Sequence, residues 1–354
     1  MQQDTIEVRQ DERFDESRLA DYLRGKLPGS DAPLMVRQFG GGAANLTYLL
    51  RYGDQEYVLR RPPLGEVARS AHDMKREYKV LSRLYQAFPY APHAYLHCED
   101  KEILGADFFV MERREGIVVR RRIPDTFASM AHAPRLMSLA LIDALAELHA
   151  VDYEAVGLGD LGHPVGFIER QIEGWYKRWQ AAKTNAVPEM DAVYEWLKEH
   201  LPLSSDVSLV HNDYKLDNVM FAADDPARIV AIFDWDMCTL GDPLSDLGSL
   251  IAYWTEPGDS PYFQGASMMP TGDLGFLTRS ELVARYAAKS GRSVSNINFY
   301  HALGLFRIVV IVAQIYIRYV RGQTQDQRFA QFGMMIPIMA QAAQAAALAG
   351  SRTP

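Results

Sequence analysis

HNDYKLDNVMF, residues 211–221, sets His211, Asp213, Lys215, Asp217 and Asn218 between two apolar pieces, SLV (208–210) and VMF (219–221). The run reads as strand, polar loop, strand. A third strand, IVAIFDWDM (229–237), ends in the carboxylates Asp234 and Asp236. A turn at AADDPA (222–227) makes a hairpin of the last two strands and brings Asn218 and Asp234 to one end of it, near the polar loop. The expected site holds an aspartate for a proton or hydroxyl, an asparagine and an aspartate with oxygen ligands, and a lysine. Oxygen ligands of this kind suit Mg2+, which takes one or two carboxylates and completes its shell with substrate phosphates. Phosphoryl transfer asks for an aligned nucleophile, a divalent metal and extra positive charge, and the stretch offers each.

Upstream, the pattern predicts a small sheet carrying one helix over about residues 33–116. LMVRQF (34–39), LTYLLRYG (46–53) and QEYVLRR (55–61) read as strands, with GGGAAN (40–45) between the first two. HDMKREYKVLSRLYQAF (72–88) repeats Met74, Tyr78, Leu81 and Leu84 at helical spacing. AYLHCED (94–100) and ADFFVMER (106–113) are two further strands. From about residue 134 the period becomes helical, with Leu141, Leu145 and Leu148 on one face and Ile168, Ile172, Trp175 and Trp179 on another. The expected fold class is α+β. A small antiparallel-sheet lobe, residues 1–112 with an N-terminal helix, precedes a larger, mostly helical lobe, residues 113–354, joined near Glu112 to Gly116.

Composition narrows the function classes. With 354 residues, two lobes are the natural expectation. The 37 Lys and Arg against 45 Asp and Glu give a net charge of 37 − 45 = −8, which argues against a generic nucleic-acid binder. Cys98 and Cys238 form no disulfide framework, and no Cys/His cluster has zinc spacing. The charged N-terminus carries no signal-peptide core, and the most apolar window, IVVIVAQIYI (308–317), is shorter than a spanning helix and flanked by Arg307 and Arg318. The expectation is a cytoplasmic protein with no membrane partner.

His211-x-Asp213-x-x-x-x-Asn218 followed by Ile232-Phe233-Asp234 resembles the catalytic loop and metal-binding segment of the protein-kinase-like superfamily. It is closest to the aminoglycoside phosphotransferase and choline kinase branch, whose continuation GDPLSDLGSL (241–250) resembles, and the similarity runs over roughly residues 30–320. The resemblance implies a two-lobed protein-kinase-like fold and Mg2+ with ATP as donor, GTP being left open. Asp213 matches the catalytic aspartate and Lys215 a γ-phosphate lysine, while Asn218 and Asp234 match the metal ligands. Gly40, Gly41, Gly42 and Asn45 match the nucleotide loop; Ala44 stands where relatives often have Ser. Arg60 falls where kinases place a phosphate-binding Lys, with Glu77 as its ion-pair partner. Arg61 is the rival for that position, because strand alternation turns only one of the two inward. Backbone groups of Glu112 and Arg114 are expected at the adenine.

The acceptor is expected to be a small molecule with a hydroxyl. Arg307, Gln314 and Arg318 form one polar stripe on an apolar helix, readable as a wall for an anionic or acyl substrate or as a solvated face. Asp236 is a second candidate there. YVLRRPP, MKREYKVL and ELHAVDYEAVGL resemble kinase-like domains fused to acyl-CoA dehydrogenases, which implies a hydroxylated metabolite such as a hydroxyacyl derivative. An aminoglycoside O-phosphotransferase and a nucleotide-binding pseudokinase are the alternatives. The oligomeric state is left open.

Overall fold

The computed structural model of the chain describes residues 5–40, 45–63, 73–203, 206–266 and 269–350. The chain divides into two compact units, the first made of Met1–Glu115 together with Ala231–Met237, the second of Gly116–Val230 and Cys238–Pro354.

In the first unit the elements are β1 (Thr5–Ile6), α1 (Glu16–Leu23), β2 (Leu34–Phe39), β3 (Leu46–Tyr52), β4 (Gln55–Arg61), α2 (Met74–Leu84), β5 (Ala94–Cys98), α3 (Lys101–Leu104) and β6 (Phe108–Glu112). The strands form one antiparallel sheet in the order β1-β2-β3-β4-β6-β5. Leu19, Leu23, Tyr48, Leu50, Leu59 and Phe108 make its core. Asp73 starts α2 by accepting a hydrogen bond from the Arg76 N–H at 2.9 Å. The buried face of α2 is Met74, Glu77, Val80, Leu81 and Leu84, so a carboxylate stands inside an apolar stripe. That is the kind of buried charge that needs a partner.

Residues 231–237 join this unit, whereas the sequence placed them in the helical lobe. The Ile232 N–H donates to the Tyr90 carbonyl at 2.8 Å, and the Trp235 ring packs edge-on against Phe88. Burying that indole holds the segment down, and its Nε1–H is satisfied by the Ile232 carbonyl at 2.8 Å.

The second unit contains β7 (Ile117–Val118), α4 (Asp125–Ala128), α5 (Ala133–His149), α6 (Phe167–Ala182), α7 (Pro188–Glu199), β8 (Ser208–Val210) and β9 (Val219–Ala222). These are followed by β10 (Asp225–Ile232), β11 (Thr239–Gly241), α8 (Leu244–Tyr253), α9 (Pro261–Ala266), α10 (Arg279–Ser290), α11 (Ile297–Val320) and α12 (Phe332–Gly350). The expected hairpin is present, β9 lying beside β10, while SLV, as β8, pairs with β11 instead. Helix α8 crosses α11 at two glycines: a Cβ on Gly248 would lie 2.4 Å from the Tyr300 carbonyl oxygen, and one on Gly304 would lie 2.6 Å from that of Gly248. Only glycine allows so close an approach.

Helix α11 runs for 24 residues and contains an 18-residue window of mean hydropathy 1.8, a longer apolar stretch than the 308–317 window. By length and composition it and the segment Gln327–Ala349 are each long enough to cross a membrane. Half of the α11 window is buried inside the protein, where Phe306, Val309, Val310 and Ala313 join Trp175, Trp179 and Ala340 in one core.

Candidate active site

The polar loop after β8 is built by hydrogen bonds to its own backbone and from α8. Asn212 has φ 64°, a left-handed conformation that asparagine tolerates better than most residues. The carboxylate of Asp246 accepts the N–H of His211 at 2.6 Å and that of Asn212 at 2.7 Å. It also accepts from His149 Nε2 at 3.3 Å, which leaves His149 Nδ1 to accept the Tyr286 hydroxyl at 2.7 Å. Burial lowers the His149 pKa despite the neighbouring carboxylate, so the imidazole is neutral. For Asp246 burial acts upward, but His149 and the His211 N–H outweigh it and hold the carboxyl below its usual range. Asp246 lies inside α8, and at the start of that helix the Asp242 side chain accepts the Leu244 N–H at 2.9 Å.

On this scaffold the loop side chains converge. Lys215 Nζ donates to Asp213 Oδ2 at 2.7 Å, and Asn218 Nδ2 donates to the same oxygen at 3.0 Å and to the Asp213 carbonyl at 2.8 Å. Using the amide nitrogen this way leaves the Asn218 oxygen as a hard ligand. Tyr214 anchors the turn through a hydroxyl bond to the Leu141 carbonyl at 2.7 Å. Burial acts to lower the Lys215 pKa, but Asp213 and Asp217 outweigh it, so the lysine stays charged.

The first unit carries a second constellation. Arg60 Nη1 meets Glu77 Oε1 at 2.5 Å, and Nη2 meets Asp234 Oδ1 at 3.3 Å. Arg61 points to the opposite face, where its guanidinium bonds the Tyr48 hydroxyl and the carbonyls of Leu104 and Glu12. Of the two alternating arginines, Arg60 is the one that pairs with Glu77. Burial, with Asp234 and Asp236 nearby, pushes the Glu77 carboxyl up to about 7 although Arg60 opposes it. Arg60 is itself raised, because Glu77, Asp234 and Asp236 together outweigh its burial. Asp236 therefore acts on this cluster. Asp234 has φ 68°, a strained backbone for a residue with a side chain. Arg60 Nε and Glu77 Oε2 are buried without hydrogen-bond partners, as are both polar side-chain atoms of Asn45.

Gly41 and Gly42 lie outside the described residues; Gly40 ends β2's turn and Asn45 precedes β3. At the end of β6, where the sequence reading expected backbone groups of Glu112 and Arg114 at an adenine, the Glu112 N–H donates to the His93 carbonyl at 2.8 Å. The Glu112 carboxylate accepts the His93 N–H at 3.2 Å and pairs with Arg114 Nε at 2.8 Å.

A cavity of about 480 Å³ opens within the second unit. Its polar end is Lys215, Asp217 and Tyr253, and Arg121 and Arg328 are also in its lining. Ile308, Ile311, Val312 and Ile315 of α11 face Met335 and Met339 of α12 along the rest. Arg307, Gln314 and Arg318 are not in this lining; Arg307 instead lies over the Trp175 ring, 5.1 Å from its centroid. Asp217 and Tyr253 are cavity-lining polar residues that sequence reasoning did not single out.

Among the described residues no group of three or more His, Cys, Asp or Glu side chains could hold a metal ion by itself. Asn218 in the second unit carries a hard amide oxygen and Asp234 in the first a carboxylate, each a ligand type that Mg2+ takes. The unpartnered donor of Arg60 fits an anion.

A sheet whose strand arginine pairs with a helix glutamate, and a helical unit presenting an H-x-D-x4-N loop, define the protein-kinase-like fold. Residues 35–272 match the profile of the phosphotransferase enzyme family, and the chain belongs to that family. Acyl-CoA dehydrogenase family member 11 of Rattus norvegicus is 35% identical over 92% of this chain. The chain spans about two fifths of that relative's length, 42%. A solved structure from Ralstonia eutropha JMP134, provisionally named an aminoglycoside phosphotransferase, has a TM-score of 0.81 at 32% identity and covers 95% of this chain and 99% of its own. Aminoglycoside phosphotransferase APH(4)-Ia in complex with AMP-PNP and hygromycin B shares the fold, with a TM-score of 0.55 at 17% identity over 91% of this chain and 95% of its own.

Proposed function

We propose that this phosphotransferase moves the γ-phosphate of Mg·ATP to a hydroxyl of a small molecule that carries an apolar portion, with Asp213 as the base. The observation that carries the reading is the Asp213 carboxylate held by both Lys215 and Asn218 on one oxygen, Oδ2. Neither of these bonds uses its other oxygen, which in this reading receives the incoming hydroxyl. As the acceptor oxygen bonds to phosphorus, the bridging bond to ADP breaks and the hydroxyl proton passes to Asp213. Lys215 supplies positive charge for the transferred group. Arg60, held by Glu77, grips donor phosphates through its remaining N–H, and Asn45 offers a donor and an acceptor beside the glycine loop. Asn218 and Asp234 would hold Mg2+, which supplies charge neutralisation on the phosphate oxygens.

For the acceptor, the cavity argues for an apolar body. Each buried CH2 is worth about 0.8 kcal/mol, and the α11 and α12 walls offer it methyl and thioether groups. Relatives named for acyl-CoA chemistry are in keeping with a hydroxyacyl derivative. An aminoglycoside is a polycation and asks for carboxylates. The described lining has Asp217 as its one carboxylate, against Lys215, Arg121 and Arg328.

ADP release from Mg·ATP is the test, run against separate pools of hydroxy fatty acids and their thioesters, of polar hydroxylated metabolites, and of aminoglycosides. Release driven by the first pool and lost in both Asp213→Ala and Asp234→Ala is the expected result. Release driven by aminoglycosides alone would sink the apolar-acceptor reading, and release surviving both substitutions would sink the mechanism.

A further inference from the structure

The polar end of the cavity contains an unpartnered carboxylate oxygen and a phenol. Asp217 Oδ1 is buried and accepts nothing. Tyr253, the last residue of α8, brings its ring and hydroxyl to the same lining. Both residues line the same cavity as Lys215, whose Nζ lies 5.5 Å from the centre of the Tyr253 ring. Lys215 Nζ donates to Asp213 at 2.7 Å, and Asp217 Oδ1 receives no hydrogen bond from it.

A buried carboxylate oxygen without a donor is costly to keep, and a native protein that keeps one has a use for it. Carboxylate torsions are broad, so a small turn about the last bond presents either oxygen to a ligand. Tyr253 is complementary: its hydroxyl donates where Asp217 accepts. Burial raises the Tyr253 pKa, with Asp213 adding to the effect, so the hydroxyl keeps its proton.

We propose that Asp217 and Tyr253 are the residues that select the acceptor, together gripping a group that both donates and accepts a hydrogen bond while the acceptor's apolar portion lies along α11 and α12. The Asp217 carboxylate takes the donated hydrogen, and the Tyr253 hydroxyl donates to the oxygen. A ligand group with an oxygen but no hydrogen to give leaves Asp217 unmatched. Selectivity follows from that unmatched group. This rests on the reading that the cavity receives the acceptor, but binding there is measurable without any phosphoryl transfer.

Calorimetric titration of the full chain, without nucleotide, with 1-octanol and 1-methoxyheptane makes the comparison. The two probes match in chain length, and only the alcohol can donate. We expect the alcohol to bind about tenfold more tightly, as one added net hydrogen bond gives. That preference should fall to about twofold or less in Asp217→Leu, with no loss of the ether's affinity, and should partly survive in Asp217→Asn; Tyr253→Phe, which removes the donor to the oxygen of either probe, should weaken both. Equal affinities in the unsubstituted protein, no binding of either probe, or affinities for both probes unchanged in both Asp217→Asn and Tyr253→Phe would overturn the proposal. The last pair of substitutions is nearly isosteric, so the result does not depend on Asp217→Leu folding. A chain that passes this test yet releases no ADP would leave the recognition pair standing and remove the kinase mechanism instead.

Discussion

Arg60, Glu77 and Asp234 in the first unit, and Asp246, His149 and the amides of His211 and Asn212 in the second, are both buried ionic clusters. Only the second closes on itself. Asp246 receives three donors, His149 is bonded at both nitrogens, and neither residue has an unpartnered buried atom. The first cluster keeps Arg60 Nε and Glu77 Oε2 unpartnered, and its glutamate is pushed up to about 7. A satisfied network rigidifies what it touches, and here it fixes the backbone from which Asp213 projects. An unsatisfied one is poised for a ligand, and it sits on the residues that the kinase resemblance assigns to donor phosphates. The same chemistry, carboxylate and cation, serves scaffolding in one unit and, under the proposed function, recognition in the other.

The contrast is broken most forcefully at the loop that the second cluster holds. Asp213→Asn is expected to lower kcat by about a thousandfold, within the range for loss of a general base, while the thermal midpoint stays within a few degrees. Asp246→Ala should cost about 3–5 kcal/mol of stability, because it strands two amide donors and a buried imidazole. Urea unfolding measures that loss. A mild effect on stability with a full loss of activity would move Asp246 from scaffold to chemistry.

Acidity separates the clusters more finely. The Glu77 carboxyl titrates near 7 when folded and near about 4.3 when unfolded, so the folded state holds the extra proton between those values. Its contribution to stability therefore falls as the pH rises through that window. His149 is lowered by burial from about 6.5, so the unfolded chain holds the extra proton and stability falls as the pH drops below that value. The unfolding midpoint followed from pH 4.5 to 7.5, a range of about three units around these ordinary values, should lose its declining component in Glu77→Gln and its rising component in His149→Gln. These are the smallest effects, at most a few kcal/mol each.

Much of the site was legible because its parts are local. The strand-loop-strand pattern placed His211 to Asn218, and the period-two strands and the α2 stripe placed the sheet unit. What escaped was decided by tertiary contact. Asp246 lies 35 residues from the amide of His211 that it binds, a pairing no periodicity encodes. Arg60 and Arg61 alternate, but alternation alone does not say which face looks toward Glu77. On α11 the polar stripe of Arg307, Gln314 and Arg318 drew the eye, yet the cavity wall is the apolar face of the same helix. An apolar residue lining a cavity and one packed in a core have the same sequence signature. The segment 231–237 reads as a strand end in either unit; the Trp235–Phe88 packing decides its place.

The most direct test of the account is calorimetric titration of Mg·ATP into the unsubstituted chain, Arg60→Ala and Asp234→Ala, beside thermal midpoints without nucleotide. If the open cluster is the phosphate and metal site, each substitution weakens binding at least tenfold, about 1.4 kcal/mol, and binding to the unsubstituted chain depends on Mg2+. Equal affinity in all three proteins would contradict it and make the Arg60, Glu77 and Asp234 cluster a structural ion pair like its counterpart in the helical unit.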